Sequence, residues 1–372
     1  MKRKLLLALL LAMCLCVCTV FVACGDTQDE PYGTITEDGG ATDKDGATTE
    51  SSKTDAATES SSTTQDSDGS NDSDTDNEEK PLYTRDENKI YFGSYPQTEV
   101  KDESLIATLT AKAGELPTSE DFGAWTSYNY YVNTKTKDFM WYIDMEEGAE
   151  KYRGVYFTSY RNSNPTADLD GVDYSWQDEN GYRTNTVYWF KYEAVSWTIL
   201  KENDGKAILL CDMIIDSQSY DYDGQTANNY KNSTIRAWLN NEFYNTVFSE
   251  LQKSLILLSK VDNSLSSTGY NANNYTCANT EDYVYLLSRK EYKTYFGDSQ
   301  EYKAATDYAL AQGTKVYNMD KIETDKGNWW LRTPANRAEY FAMYVRRLGA
   351  DNHTTTYDTD IGVVPVIQIT LN

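Results

Sequence analysis

The stretch Val195-Ser196-Trp197-Thr198-Ile199-Leu200, then Glu202-Asn203-Asp204-Gly205, then Lys206-Ala207-Ile208-Leu209-Leu210, decides the fold class. The first run alternates as a half-buried strand does, and the last returns along it as a short apolar run. Asp-Gly between such runs is a hairpin signature, because glycine supplies the positive φ that the tight turn needs. Two antiparallel strands are therefore expected at the centre of the chain.

Downstream, Ser233 is a good N-cap for the clearest helix. Ile235, Trp238, Leu239, Glu242, Phe243, Val247 and Leu251 follow at spacings of three and four, so one helix face should pack onto a sheet. A strand is expected over 283–287, a short helix from Ser288, and another over 304–311 with Gly313 as its stop. Strands are expected again over 329–332, 341–345 and 363–370. Upstream, residues 89–96 read as a strand ending in a turn and 155–157 as a short strand. Residues 100–140 permit no assignment, and 162–183 read as a polar loop. Strands mixed with few helices and long loops predict a single α+β domain with a twisted, mainly antiparallel sheet, not a doubly wound one.

The N-terminus has a different character. Met1-Lys2-Arg3-Lys4 precedes an apolar run to Ala23, the layout of an export signal. Val20-Phe21-Val22-Ala23-Cys24 resembles the lipobox of bacterial lipoproteins, and Gly25-Asp26 ends the apolar run at once. Residues 1–23 are thus expected to be a signal peptide and Cys24 the lipidated residue, holding the protein on the outer face of a cell membrane. A diacylated cysteine supplies the two or so chains that stable anchoring needs. Residues 25–80 carry 17 acidic and 3 basic side chains and almost no large apolar ones. Such a segment cannot bury enough surface to offset its ordering entropy, so 24–80 reads as a disordered linker reaching roughly 40 Å or more.

Residues 81–372 form the remaining domain. The whole chain carries −24 and its first 24 residues +3, which leaves −13 for this part once the linker's −14 is set aside. That charge excludes nucleic acid as a partner. Only Cys211 and Cys277 follow Cys24, and a disulfide between them is an open alternative. The single histidine, His353, lies in the polar run Asp351-Asn352-His353-Thr354 and reads as an exposed loop residue. No phosphate loop, nucleophile elbow, H-E-x-x-H or C-x-x-C stands in the mature chain.

Several pieces together resemble a bacterial domain family of unknown function, the DUF6273 type, found in extracellular proteins. They are Phe92-Gly93-Ser94-Tyr95-Pro96-Gln97, Tyr188-Trp189-Phe190 with Trp197-Thr198-Ile199-Leu200, Ser233-Thr234-Ile235-Arg236-Ala237-Trp238-Leu239-Asn240, and Asp282-Tyr283-Val284-Tyr285-Leu286-Leu287-Ser288. Trp329-Trp330-Leu331-Arg332-Thr333-Pro334 and Gly362-Val363-Val364-Pro365-Val366 complete the set, which spans most of 89–372. That family is similar, more distantly, to the C-type-lectin-like fold of sulfatase-modifying proteins. The resemblance implies a lectin-like sheet, with Val364 standing where an arginine is usual. It does not carry over formylglycine-generating activity, because Cys211 and Cys277 do not reproduce the reactive copper-binding cysteines.

Aromatic residues are abundant, with 31 Tyr and 8 Trp. Their flat apolar faces and polar edges suit stacking on sugar rings and anchoring of interfaces. Tyr220, Tyr222, Tyr270 and Tyr275, with Tyr174 and Trp176, fall in polar runs and are the candidate ligand contacts. Trp197, Trp238, Trp329 and Trp330 read as core. Arg332, inside an apolar motif, either pairs structurally or lines a pocket, and Arg236 poses the same choice. Asp216, Asp221 and Asp223 form one acidic run, and Asp351, Asp358 and Asp360 another that could hold calcium. No other cofactor is expected and no catalytic residue is identified. The leading expectation is a non-enzymatic surface domain for a carbohydrate or protein ligand. The rivals are a glycan-acting carboxylate enzyme and a structural or adhesive protein.

Overall fold

The computed structural model describes residues 81–128, 140–161, 175–222, 228–297, 299, 301–316, 326–346 and 349–371. The signal segment, Cys24 and the acidic linker lie outside them, as do Tyr174 and Asp223. The chain runs β1 (Thr84–Asp86), β2 (Lys89–Glu99), α1 (Glu103–Ala113), β3 (Thr126–Ser127), β4 (Met140–Glu147), β5 (Glu150–Phe157), α2 (Trp176–Glu179), β6 (Val187–Asn203), β7 (Lys206–Cys211) and β8 (Asp216–Ser217). It continues with α3 (Thr234–Trp238), a π-helical turn (Leu239–Phe243), α4 (Tyr244–Val247), α5 (Glu250–Lys253), β9 (Ser259–Val261), α6 (Leu265–Thr268), β10 (Thr280–Asp282) and β11 (Val284–Tyr285). Then follow α7 (Arg289–Phe296), α8 (Asp307–Ala311), β12 (Trp329–Pro334), β13 (Phe341–Val345), β14 (Asp351–Thr355), β15 (Gly362–Val363) and β16 (Val366–Thr370). Among the described residues no helix is long and apolar enough to cross a membrane.

The expected hairpin is the spine of the larger sheet. β6 and β7 pair antiparallel down to Asn203 opposite Lys206. Asp204 and Gly205 between them have φ of 49° and 68°, the two positive values of the tight turn. The sheet runs β11-β16-β7-β6-β5-β4-β3, with β2 also on β6 and β1 on β2. A second sheet runs β14-β13-β12-β15-β8, in which β12–β15 is a parallel pair. The fold is α+β and mainly antiparallel, as the element pattern predicts.

Period-2 geometry divides the side chains of the larger sheet between two cores. Val155, Phe157 and Phe190 enter the main core with Trp197, Leu209 and Ile367. Tyr152, Tyr156 and Trp189 point the other way, under Leu109 and Ala113 of α1. Trp197 is fully buried, and its indole N–H is satisfied by Phe92 O at 2.8 Å.

Some expectations need correction. β2 does not end at Gly93–Pro96 but continues to Glu99, with register shifts between Tyr91 and Ser94 and between Pro96 and Thr98. Bulges absorb the glycine and the proline that read as a stop. Gly93 sits at φ 77°, and a Cβ there would lie 2.8 Å from the Phe248 ring. The helix capped by Ser233 passes through the π turn and ends at Phe248. Leu251 belongs to the separate α5 and is 62% exposed, so it is not part of the apolar stripe. The strand expected over 363–370 breaks between β15 and β16. Cys211 and Cys277 are free thiols, so no disulfide joins them. His353 lies on β14 rather than in a loop, with its ring edge-on to Phe341 and Nε2 3.3 Å from Arg337.

Candidate functional site

A cleft of about 210 Å3 opens between the chain after β8 and the helix that starts at α3. Gln218, Ser219 and Tyr222 form one wall, and Thr234, Trp238, Asn241 and Glu242 face them. Local hydrogen bonds fix the two walls together. Ile235 N–H donates to Tyr220 O at 3.2 Å, and Tyr222 N–H donates to Thr234 Oγ1 at 3.2 Å. Thr234 N–H donates to Asp221 Oδ1 at 3.3 Å. The Gln218 wall is tied to the second sheet, because Trp330 Nε1 donates to Gln218 O at 2.8 Å and Ser219 Oγ donates to Tyr357 O at 3.2 Å.

The π turn sets the helical wall. A π turn inserts a residue into an α-helix, and such turns are frequent at functional sites. Here Leu239 and Phe243 remain buried, while Asn241 and Glu242 stay exposed along the cleft. Behind the wall lies Asp216, fully buried. Tyr95 OH donates to its Oδ2 at 2.6 Å, and Ser217 N–H donates to Oδ1 at 2.7 Å. Burial pushes the Asp216 carboxyl up despite these donors and the positive charges of Arg161 and Arg153. Partial desolvation, and then the Asp216 charge, push Glu242 above the usual carboxylate range.

Residues 204–371 match a family model described as a domain of unknown function, DUF6273. The matched stretch contains every residue of the cleft, together with Arg332. The earlier motifs at Phe92–Gln97 and Tyr188–Leu200 precede it, although β2 and β6 share a sheet with β7 and β16 of the DUF6273 stretch. No curated protein and no solved structure matches the chain. Val364, noted for the absence of an arginine, is fully buried in the core.

The expected ligand residues do not converge on the cleft. Of the four tyrosines only Tyr222 lines it. Tyr220 is fully buried against Trp330, with its hydroxyl donating to Arg332 O at 2.8 Å, so it offers no face to a ligand. Tyr270 lies under the Arg289 guanidinium at 4.3 Å. Tyr275 is half-buried, and its N–H donates to Asn273 Oδ1 at 2.9 Å. Trp176 lies beneath Lys315 at 5.1 Å.

Arg332 is 2% exposed and is a structural residue rather than a ligand contact. It grips Glu291 with two nitrogens and donates to Leu286 O at 2.6 Å and Asp262 O at 3.0 Å. Burial opposes its charge, and Glu291 overrides that opposition to hold the guanidinium above its usual range. Arg236 is likewise paired, with Asp282 at 2.7 Å.

The acidic run expected to suit calcium is also divided. Asp351 is tied to Arg289 and to Lys293. Burial opposes its ionisation, but the two cations outweigh burial and hold it low. Asp358 accepts from the hydroxyls of Thr354 and Thr355, and burial raises its carboxyl. Burial and then Asp358 push Asp360 up to about 7. Among the described residues no three acidic, histidine or cysteine side chains form a group that could hold a metal. Asp216 belongs to the buried Tyr95 contact and Asp221 to the Thr234 clamp, so the two described members of the other acidic run are structural as well.

Sequence reasoning missed Asn241 and Glu242 as site residues, while Trp238, read as core, is buried in the main core and only borders the cleft. One signal was present: Glu242 is the carboxylate inside the apolar stripe of the helix.

Proposed function

We propose that the protein is a lipid-anchored extracellular binding module whose cleft takes one sugar residue of a glycan. The observation that carries this reading is the lining of the cleft, where the aromatic Tyr222 stands beside Gln218, Ser219, Thr234, Asn241 and Glu242. Sugar recognition uses that combination, a ring face for the apolar side of the sugar and convergent polar groups for its hydroxyls. The volume is smaller than the roughly 300–1,000 Å3 of pockets that enclose drug-sized ligands, and so suits a single ring. The lipobox-like run ending at Cys24 and the acidic linker favour binding in place over diffusible catalysis. The resemblance to lectin-like proteins supports the same reading by analogy of fold.

Full-length protein in detergent on a glycan array tests it, with Tyr222→Ala and Asn241→Ala as cleft variants. Selective binding that weakens about tenfold or more in both variants, a loss of about 1.4 kcal/mol, is the expected result. Binding to no glycan, or binding that neither variant alters, would overturn it. Metabolic labelling with a fatty acid checks the anchor, and label that persists in Cys24→Ser rules it out.

A further inference from the structure

We infer that the cleft selects a sugar carrying a free primary amine, whose ammonium is held by the Glu242 carboxylate beside the ring of Tyr222. This rests on the glycan reading of the same cleft and adds the class of sugar.

The inference starts from ion pairing. Several partly buried acids of this fold are answered by cations: Asp144 by Arg153, Asp212 by Lys89, Asp282 by Arg236, Glu291 by Arg332 and Asp351 by Arg289. No lysine or arginine stands among the described residues that line the cleft with Glu242. The nearest charge behind it is Asp216, whose own donors are Tyr95, Ser217 and Gln218. Arg153 and Arg161 act on Asp216, and Asp216 in turn acts on Glu242. The cleft therefore presents a carboxylate that no cation of its lining answers.

An anionic sugar meets repulsion there. A neutral sugar can use Asn241, Gln218 and Thr234 but leaves the carboxylate unanswered. An ammonium supplies the missing charge, makes a charge-assisted hydrogen bond to Glu242 and gains from the adjacent Tyr222 ring. A sugar amine fits better than a long flexible amine, because the polar groups across the cleft can take the ring hydroxyls.

Titration calorimetry on the full-length protein tests this with a glucosamine oligomer, its fully N-acetylated counterpart and a lysine-containing peptide. The free-amine oligomer should bind at least about tenfold tighter than the acetylated one, equivalent to about 1.4 kcal/mol. Glu242→Gln should remove that preference, bringing the two oligomers to within about twofold of each other. Glu242 is exposed, so its variant is expected to fold, and an unchanged melting temperature verifies this. Equal binding of the two oligomers, lost in Tyr222→Ala, would overturn the amine inference and keep the glycan cleft. Binding of neither oligomer would overturn both. Tighter binding of the lysine peptide than of the sugar amine would overturn the sugar as the amine's source.

Discussion

Arg332 and Glu242 are both charged residues set inside apolar sequence, and the fold treats them in opposite ways. Arg332 is enclosed, and its charge is consumed by Glu291 and by the carbonyls of Leu286 and Asp262. Glu242 stands at the mouth of a cleft with a second acid behind it and no cation among the residues of the lining. A charge within an apolar motif therefore does not by itself mark a site. What separates a structural charge from a ligand-facing one is whether the fold supplies its counter-charge.

The largest effect that would break this comparison is in the core. Arg332→Ala leaves two carbonyls unanswered and Glu291 with the Ser288 N–H alone, and because Glu291 is partly exposed the loss should fall toward the lower end of the about 3–5 kcal/mol that breaking a buried pair costs. Thermal unfolding should shift down by roughly ten degrees. A shift within two degrees or so would mean that Arg332 is not the structural member of the comparison.

Asp360 gives an intermediate effect with a definite pH sign. Its carboxyl titrates near about 4 when unfolded, whereas burial and Asp358 push it up to about 7 in the fold. Between those values the folded state holds a proton that the unfolded state has lost. Its contribution is thus fully present below pH about 4 and is lost as pH rises through about 7. Asp360→Asn should flatten that decline and stabilise the protein at pH 8 by an amount on the order of 1–4 kcal/mol. Denaturant unfolding at pH 5 and pH 8 checks it, and an identical pH slope in the variant would contradict the placement of Asp360.

The smallest stability effect is expected at Glu242. An exposed carboxylate contributes little, so Glu242→Gln should change unfolding free energy by no more than about 0.5 kcal/mol. A loss comparable to that of Arg332→Ala would erase the distinction drawn between the two residues.

The parts of this fold written in local sequence were legible. Asp204-Gly205 closes the hairpin, and Ser233 and Ser288 cap their helices through the N–H groups of Arg236 and Glu291. Residues fixed by long-range contacts were not. Tyr220 sits in a polar run yet is buried, because Trp330 and Arg332, more than a hundred residues later, close over it. Gly93 and Pro96 read as a stop because bulge pairing with β6 is not visible in the β2 sequence. The candidate cleft was half legible: Glu242 stood out within its stripe, but the π turn that leaves it exposed depends on packing of the buried Leu239 and Phe243.

A backbone amide titration by NMR with the glucosamine oligomer tests most directly whether the charge that the cleft lining leaves unanswered is the one that meets a ligand. Shifts concentrated at Gln218, Ser219, Tyr222, Asn241 and Glu242, with Glu291 and Arg332 unmoved, are the expected result. Shifts centred on Arg332, Tyr270 or Tyr275 with a silent cleft would contradict it.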